Sequence, residues 1–211
     1  MFYVKKTEFA GGSVVVTLED TSGDFPASDK YIVAKEFFKP LGIAEGDAAD
    51  EEKADAVKEA AALTEAVSKA LDVLSYSGLS RRALVDKLRL KYKIDRGAAE
   101  AAADYVVRRG YLDEDAQASR IAESAVRSKL WGRRRVVAGL YAKGYPKECA
   151  ERAANSVGER AYAAALSKLT DKKAKSLPKT PEEVRKLVSA LIRMGHDPSA
   201  VKEAVVKKSE E

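Results

Sequence analysis

Residues 84–88 read Leu-Val-Asp-Lys-Leu, residues 136–140 read Val-Val-Ala-Gly-Leu, and residues 187–191 read Leu-Val-Ser-Ala-Leu. The three segments start 52 and 51 residues apart, and each has apolar side chains at positions i, i+1 and i+4. This spacing puts the apolar side chains on one face of an α-helix. A period close to 50 residues is typical of tandem helical modules, so the pattern predicts a repeated helical fold.

The turns recur with the same period. Lys143-Gly144-Tyr145-Pro146 corresponds to Met194-Gly195-His196-Asp197, and in both the glycine marks the end of a helix. In the first repeat, a helix is followed by the turn Ser77–Ser80, which also supplies an N-cap, then by a middle helix and by a helix from Asp95 to Gly110. Each repeat is therefore predicted to contain three helices. The middle helix of the first repeat is expected to bury Leu84, Val85, Leu88 and Leu90.

The predicted fold class is mainly α, with three tandem three-helix repeats in an elongated, curved array and a small N-terminal β-hairpin extension. Curved helical arrays offer long concave surfaces that suit extended partners. The predicted divisions are a β-hairpin extension at 1–50, an acidic linker and helix start at 51–65, and helical repeats at 66–112, 113–158 and 159–211.

The N-terminal segment contains two β-branched and aromatic stretches, Tyr3–Thr7 and Ser13–Leu18, separated by Ala10-Gly11-Gly12. This arrangement predicts a β-hairpin. Lys30–Phe38 is short and apolar and is compatible with either a helix or a strand. Glu45–Glu59 is rich in Asp, Glu and Ala and is interpreted as a polar linker rather than a core element.

The composition excludes several classes of function. A single cysteine, Cys149, cannot form an internal disulfide, and a single histidine, His196, leaves no second soft ligand for a conventional zinc or iron site. The sequence contains no Gly-rich phosphate loop, no apolar run of about 20 residues and no signal-peptide pattern. We therefore expect a cytoplasmic protein that is not an enzyme, contacts no membrane and holds no metal or cofactor.

Basic residues are concentrated in the helical part of the chain. Residues 1–65 carry a net charge of −7 and residues 66–211 a net charge of +12. Arg81-Arg82 and Arg133-Arg134 occupy the same place in successive repeats, at the first turn of the middle helix, where the helix dipole disfavours cations. Such a position favours a binding role toward phosphate or carboxylate groups, and a solvated basic surface is the alternative. The other basic groups are Arg108-Arg109, Arg135, and Lys172, Lys173 and Lys175.

Aromatic residues lie among these charges, as they do where bases stack or where protein partners make their strongest contacts. Tyr111 and Tyr145 each follow a helix-ending glycine, so we expect both to pack in the core. Trp131 precedes Gly132 at a helix start, and its sequence position leaves binding and packing on the following helix equally open. Tyr141 is the fourth aromatic residue of this group.

Asp113, Glu114 and Asp115 form a carboxylate cluster within the basic region. They precede the helix that runs through Ile121, where acidic side chains cap free N–H groups and complement the helix dipole. We therefore expect caps rather than catalytic groups. A hydrolase that uses these carboxylates is the competing hypothesis, and it would require magnesium-dependent activity.

The central sequence resembles the RecX family. The resemblance rests on Ser80-Arg81-Arg82-Ala83-Leu84 with Lys87-Leu88, on Gly110-Tyr111-Leu112-Asp113-Glu114, on Gly132-Arg133-Arg134, and on Lys143-Gly144-Tyr145. It covers residues 66–157. The resemblance implies a regulator of the RecA recombinase that lodges in the groove of the RecA–DNA filament and inhibits its ATPase, strand exchange and recombination activity. It also implies three tandem three-helix units.

The partners expected from this resemblance are RecA and RecA–DNA filaments, contacted by a monomer, with direct DNA contact as a further option. The alternative function is a general nucleic-acid-binding helical module that acts through phosphate contacts. The predicted binding residues are Arg81, Arg82, Arg108, Arg109, Trp131, Arg133, Arg134, Arg135 and Lys143.

Overall fold

The computed structural model describes residues 1–23, 25–174 and 180–209. As predicted, the protein is mainly helical with a small N-terminal antiparallel sheet. The strands are β1 (Phe2–Ala10), β2 (Ser13–Asp20), β3 (Ala27–Ala34) and β4 (Ala48–Ala49). The helices are α1 (Lys35–Phe38), α2 (Glu51–Tyr76), α3 (Arg81–Tyr92), α4 (Arg96–Arg108), α5 (Glu114–Lys129), α6 (Arg133–Ala142), α7 (Lys147–Ser156), α8 (Glu159–Lys173), α9 (Pro181–Arg193) and α10 (Pro198–Ser209).

The predicted hairpin forms the centre of the sheet. The strand order is β3-β2-β1-β4, and β1 pairs antiparallel with β2 through a turn that contains Gly11 at φ +59°. Lys30–Phe38, for which helix and strand were both open, contains both: it is divided between β3 and α1. The buried strand residues Val4, Val14, Val16, Leu18 and Val33 belong to one hydrophobic cluster, so one face of the sheet is available for packing.

Helix α2 covers that face of the sheet. Ala54, Val57 and Ala60 are buried together with Val4 and Val16 in one hydrophobic cluster. The interpretation of residues 45–59 as a linker outside the core was therefore wrong. The acidic residues at the start of α2 face solvent. Ala54, Val57 and Ala60, three residues apart, form a narrow buried stripe that the acidic composition of the segment conceals.

The chain divides into two compact units, which comprise residues 1–77 with 84–111, and residues 78–83 with 112–211. In the first unit, α4 packs on α2 and Leu84, Val85 and Leu88 of α3 are buried. Leu90 is 73% exposed, so its predicted burial was wrong. It lies two residues after Leu88, and positions two apart fall on different faces of a helix.

The second unit contains two hydrophobic clusters. One is built by α5, α6, α7 and the start of α8, and the other by α8, α9 and α10. The fivefold division of the chain at residues 50, 65, 112 and 158 stays a prediction. None of the helices in the described ranges is both long and apolar enough to cross a bilayer.

Thr64 links α2 to the end of β3. Its Oγ1 accepts a hydrogen bond of 2.9 Å from the N–H of Ala34 and donates one of 2.8 Å to the carbonyl of Ala60. Thr64→Val keeps the shape of the side chain but leaves the Ala34 N–H without its partner. We expect the free energy of unfolding to fall by about 1–3 kcal/mol, measured by urea denaturation.

Thr170→Val is the matched control. Thr170 is buried and its hydroxyl only donates to the carbonyl of Leu166, four residues earlier in α8. Its replacement leaves no N–H group unpaired, so we expect a loss of less than about 1 kcal/mol. Equal losses for the two variants would contradict a linking role for Thr64.

Candidate binding surface

The first turn of α6 lies directly against the turn between α9 and α10. The N–H of Gly132 donates to the carbonyl of Met194 at 2.8 Å. The N–H of Arg134 donates to the carbonyl of Gly195 at 3.2 Å. Both bonds satisfy N–H groups that a helix leaves unpaired at its N-terminus. The contact requires two glycines, because a Cβ on Gly132 would lie 2.2 Å from the carbonyl carbon of Gly195, and one on Gly195 would lie 2.3 Å from the nitrogen of Arg135.

A corresponding contact is present at the start of α3. Ser80 Oγ donates to the carbonyl of Lys143, in the turn between α6 and α7, at 2.8 Å. It also accepts from the N–H of Ala83 as a helix cap. Gly144 in the same turn has φ +86°, and a Cβ there would lie 2.8 Å from Ser80 Oγ. Ser80 precedes the apolar segment that begins at Leu84, and Gly132 precedes the corresponding segment that begins at Val136.

Two of the predicted binding arginines make contacts within the unit. Arg133 donates to Glu159 and to Asn155 Oδ1, and its guanidinium lies over the ring of Tyr162 at 5.2 Å. Arg135 Nη1 donates to the carbonyl of Arg193 at 3.0 Å. These contacts hold α6 against its neighbours and offset the unfavourable placement of cations at a helix N-terminus.

Three predicted residues of the second unit keep their charged groups in solvent. Arg134 has a side chain that is 68% exposed, and its nearest carboxylate, Asp197, is 3.9 Å away. Arg82 and Lys143 are exposed at one junction, where the Cβ of Arg82 lies 3.2 Å from the position that a Cβ on Gly144 would take. The pair Arg82 and Lys143 is thus brought together by folding.

The other predicted arginines have different surroundings. Arg81 is half-buried, and its N–H donates to Glu114 Oε1 at 2.9 Å. In the first unit Arg108 is exposed, whereas Arg109 Nη2 forms an ion pair with Glu36 at 2.7 Å. Lys172 and Lys173 are exposed at the end of α8, and Lys175 lies outside the described residues.

The Trp131 ring packs against α6, which is the packing alternative of the two predicted for it. A Cβ on Gly139 would lie 2.6 Å from its ring. The Lys129 ammonium lies 4.9 Å and the Arg135 guanidinium 5.1 Å from the ring centroid. The indole borders a cleft of about 290 Å³ between α5 and α6, to which Arg120, Lys129 and Lys143 contribute the cations.

Arg120 and Lys129 were missed by sequence reasoning. They lie nine residues apart on α5, at the two edges of the stripe that faces α6. No local spacing indicates that they share a cleft with Lys143, because the cleft exists only once α6 packs on α5. The only available signal was their position on the same helix within the basic region.

The two tyrosines expected in the core differ. Tyr145 is 2% exposed and donates to Gln117 Oε1 at 3.3 Å, as expected. Tyr111 is 58% exposed, so its predicted burial was wrong. Its N–H closes the end of α4 on the carbonyl of Val106, but Leu112, at 3% exposure, takes the buried place.

The carboxylate cluster supports local structure. Asp113 caps α5 by accepting from the N–H of Ala116 at 3.0 Å. An ion pair with Arg152 at 2.7 Å lowers the pKa of Asp115. Burial raises the pKa of the Cys149 thiol to about 11, so the reactive thiolate is scarce at neutral pH. Residues 1–23, 25–174 and 180–209 contain no group of three or more His, Cys, Asp or Glu side chains that could hold a metal ion.

The glycine contact at the start of α6 can be tested with two N-cap glycines. Gly132 (φ −78°, ψ 166°) and Gly158 (φ −61°, ψ 148°) have similar backbone conformations, but only Gly132 lacks room for a methyl group. Gly132→Ala should reduce the free energy of unfolding by about 1–3 kcal/mol or more, through overpacking. Urea denaturation of Gly158→Ala should show a loss below about 1 kcal/mol, and similar losses would contradict the close contact.

His196 predicts a pH dependence of stability. It is 3% exposed, and its Nε2 lies 3.0 Å from the carbonyl of Leu130. Burial lowers its pKa below the ordinary value, so the folded protein binds this proton less readily than the unfolded chain. The stability that the neutral ring contributes is therefore present above the unfolded pKa of about 6.5 and is lost as pH falls below it.

We expect the free energy of unfolding to decrease between about pH 7 and pH 5.5, measured by urea denaturation at each pH. His196 is the only histidine of the chain, so His196→Gln should flatten the profile in this window. A slope that persists unchanged in the variant would show that other groups cause it.

Comparison with known proteins gives sequence and structural relatives. No family model matches the sequence. The chain is 38% identical over 88 residues to the regulatory protein RecX of Thermus thermophilus, a match that covers 42% of this chain and 59% of that protein. The chain thus spans less than two thirds of the length of this relative.

Two solved structures share the fold. A crystal structure of a regulatory protein RecX superposes with a TM-score of 0.75 at 20% identity, covering 96% of this chain and 98% of the other. The crystal structure of RecX from Lactobacillus salivarius superposes with a TM-score of 0.63 at 17% identity, covering 71% and 97%. The chain is thus similar to a RecX protein over part of its sequence, and it shares the fold of two solved RecX structures.

Proposed function

We propose that this protein is a negative regulator of RecA that binds the RecA–DNA filament and inhibits its ATPase, strand exchange and recombination activity. The observation that carries the proposal is the 88-residue match to a regulatory protein RecX, which agrees with the resemblance based on the Ser80–Leu84, Gly110–Glu114 and Lys143–Tyr145 motifs. In this proposal the protein acts in the cytoplasm as a monomer without cofactor or catalysis, and ATP hydrolysis belongs to RecA.

The exposed cations support a filament contact. Arg82, Arg134 and Lys143 of the second unit and Arg108 of the first have exposed side chains. Guanidinium and ammonium groups of this kind bind the carboxylates of an acidic protein surface or the phosphates of DNA. Arg133, Arg135 and Arg109 serve less directly in this proposal, because each already holds a contact within its own unit.

We also propose that α2–α10 form three repeated three-helix units. The proposal is supported by the two equivalent junctions, at which Ser80 bonds to Lys143 and Gly132 bonds to Met194. In each, the residue before a middle helix meets the turn that follows the next middle helix. Arg82 and Arg134 would then be equivalent positions, which supports their assignment to one extended binding surface.

A general nucleic-acid-binding module is the second candidate. The basic cleft beside Trp131, with Arg120, Lys129 and Lys143, has the mixture of cations and an aromatic ring that such modules use. This candidate predicts binding to naked DNA that weakens steeply with salt. The RecA proposal predicts inhibition that exceeds the effect expected from occupation of free DNA.

The direct experiment measures RecA ATPase and strand exchange on single-stranded DNA with this protein at substoichiometric and equal concentrations. We expect both activities to fall. In the variant Arg82→Gln/Arg134→Gln/Lys143→Gln, the concentration needed for inhibition should rise about tenfold, since each exposed ion pair contributes up to about 1 kcal/mol.

The control is Arg160→Gln, which removes an exposed cation of α8 outside the predicted binding residues. It should inhibit like the unaltered protein, and circular dichroism should show equal helicity for all variants. Unchanged RecA activities in the presence of the unaltered protein would refute the proposed function.

A further inference from the structure

The first unit presents two tyrosines side by side on its surface. Tyr76 lies at the end of α2 and Tyr92 at the end of α3, and their hydroxyl oxygens are 3.5 Å apart. Tyr76 is 63% exposed and Tyr92 is half-buried. A tyrosine at this exposure contributes little to a core, so the pair forms an accessible aromatic surface.

Three lysines surround the pair. The ammonium group of Lys87 lies 5.2 Å from the ring centroid of Tyr76, and those of Lys69 and Lys91 lie 5.9 Å and 5.2 Å from that of Tyr92. Within the described part of the chain, none of the three forms an ion pair with a carboxylate. The cations are therefore free to move to another anion.

The charges facing the pair are mostly positive. The hydrogen bond between the two hydroxyl groups lowers the pKa of Tyr92, and Lys91 and Lys87 lower it further. Asp72 is the carboxylate that acts on Tyr76, whose pKa is raised first of all by its hydrogen bond to Tyr92. One carboxylate against three lysines leaves a basic field around two aromatic rings.

We propose that Tyr76 and Tyr92 form a stacking platform for the bases of single-stranded nucleic acid, and that Lys69, Lys87 and Lys91 contact its phosphates. Aromatic rings that alternate with cations bind single strands in this way, because every base has a face that can stack and every nucleotide carries a phosphate. An exposed cation–π contact is weak, so a base can displace a lysine from a ring while the lysine moves to the adjacent phosphate.

This platform is separate from the predicted binding residues. It lies in the first unit and contains none of the arginines assigned to filament contact. It goes beyond the proposed regulation of RecA, because it requires no recombinase, and it shares no residue with the cleft beside Trp131. It also differs from a module that recognises phosphates alone, since a stacking platform distinguishes strands with exposed bases from strands without them.

The test measures fluorescence anisotropy of three labelled ligands with the full chain: a thymidine oligonucleotide, an abasic oligonucleotide of the same length, and a duplex. The abasic strand has the same phosphates but no bases. We expect the thymidine strand to bind about 5- to 150-fold more tightly than the abasic strand for each base that stacks. Equal affinities for the two strands would overturn the proposal.

Variants assign the effect to the platform. Tyr76→Ala/Tyr92→Ala should remove the preference for the thymidine strand, whereas Tyr76→Phe/Tyr92→Phe should keep it, because the rings remain. Tyr141→Ala is the matched control, since Tyr141 is also an exposed tyrosine, at 61%, but lies in the second unit. It should bind like the unaltered protein.

The lysines have a different readout. Lys69→Gln/Lys87→Gln/Lys91→Gln should reduce the slope of log affinity against log salt for the thymidine strand by about 2, since each phosphate contact contributes about 0.7. An unchanged slope, or an alanine variant that keeps the preference, would contradict the platform. RecA inhibition is measured separately, so a failure there would leave this result intact.

Discussion

The contact between the backbones of Gly132 and Gly195 is the constraint on which the second unit depends. It lets the carbonyls of the α9–α10 turn pair with the first N–H groups of α6, which fixes where α6 begins. That position brings Arg135 to the carbonyl of Arg193 and Arg133 to Glu159. Three consecutive arginines are tolerated at the positive end of a helix because carbonyl and carboxylate oxygens lie beside them.

The start of α3 also forms a hydrogen bond to the turn after a later helix, but it uses a side chain to do so. Ser80 uses its hydroxyl both to cap its own helix and to reach the carbonyl of Lys143, whereas Gly132 has only its backbone N–H for this purpose. A hydroxyl extends further than a backbone group, so the Ser80 junction does not require two glycines. At the start of α6, the contacts of Arg133 and Arg135 within the unit give these basic residues a structural explanation.

Local signals in the sequence predicted much of the fold. Asp113 and Ser80 cap helices as expected, and the hairpin around Gly11 forms. The N-terminal part of helix α2 was interpreted as a linker because its buried face consists largely of alanines among acidic residues, which weakens the apolar pattern. The ion pair of Arg133 with Glu159 and the pairing of Tyr76 with Tyr92 join different helices, so they depend on packing that no single segment specifies.

The junctions also affect how the protein is made. The chain emerges from the ribosome N-terminus first, so the residues of α6 are synthesised before those of the α9–α10 turn. Until Met194 and Gly195 emerge, water is the available partner for the N–H groups of Gly132 and Arg134. The Ser80 hydroxyl likewise lacks its acceptor, the carbonyl of Lys143, until that residue has emerged. The second unit therefore completes its backbone hydrogen bonds late in synthesis. A nascent chain that ends between α6 and the α9–α10 turn exposes an unpaired helix start to chaperones.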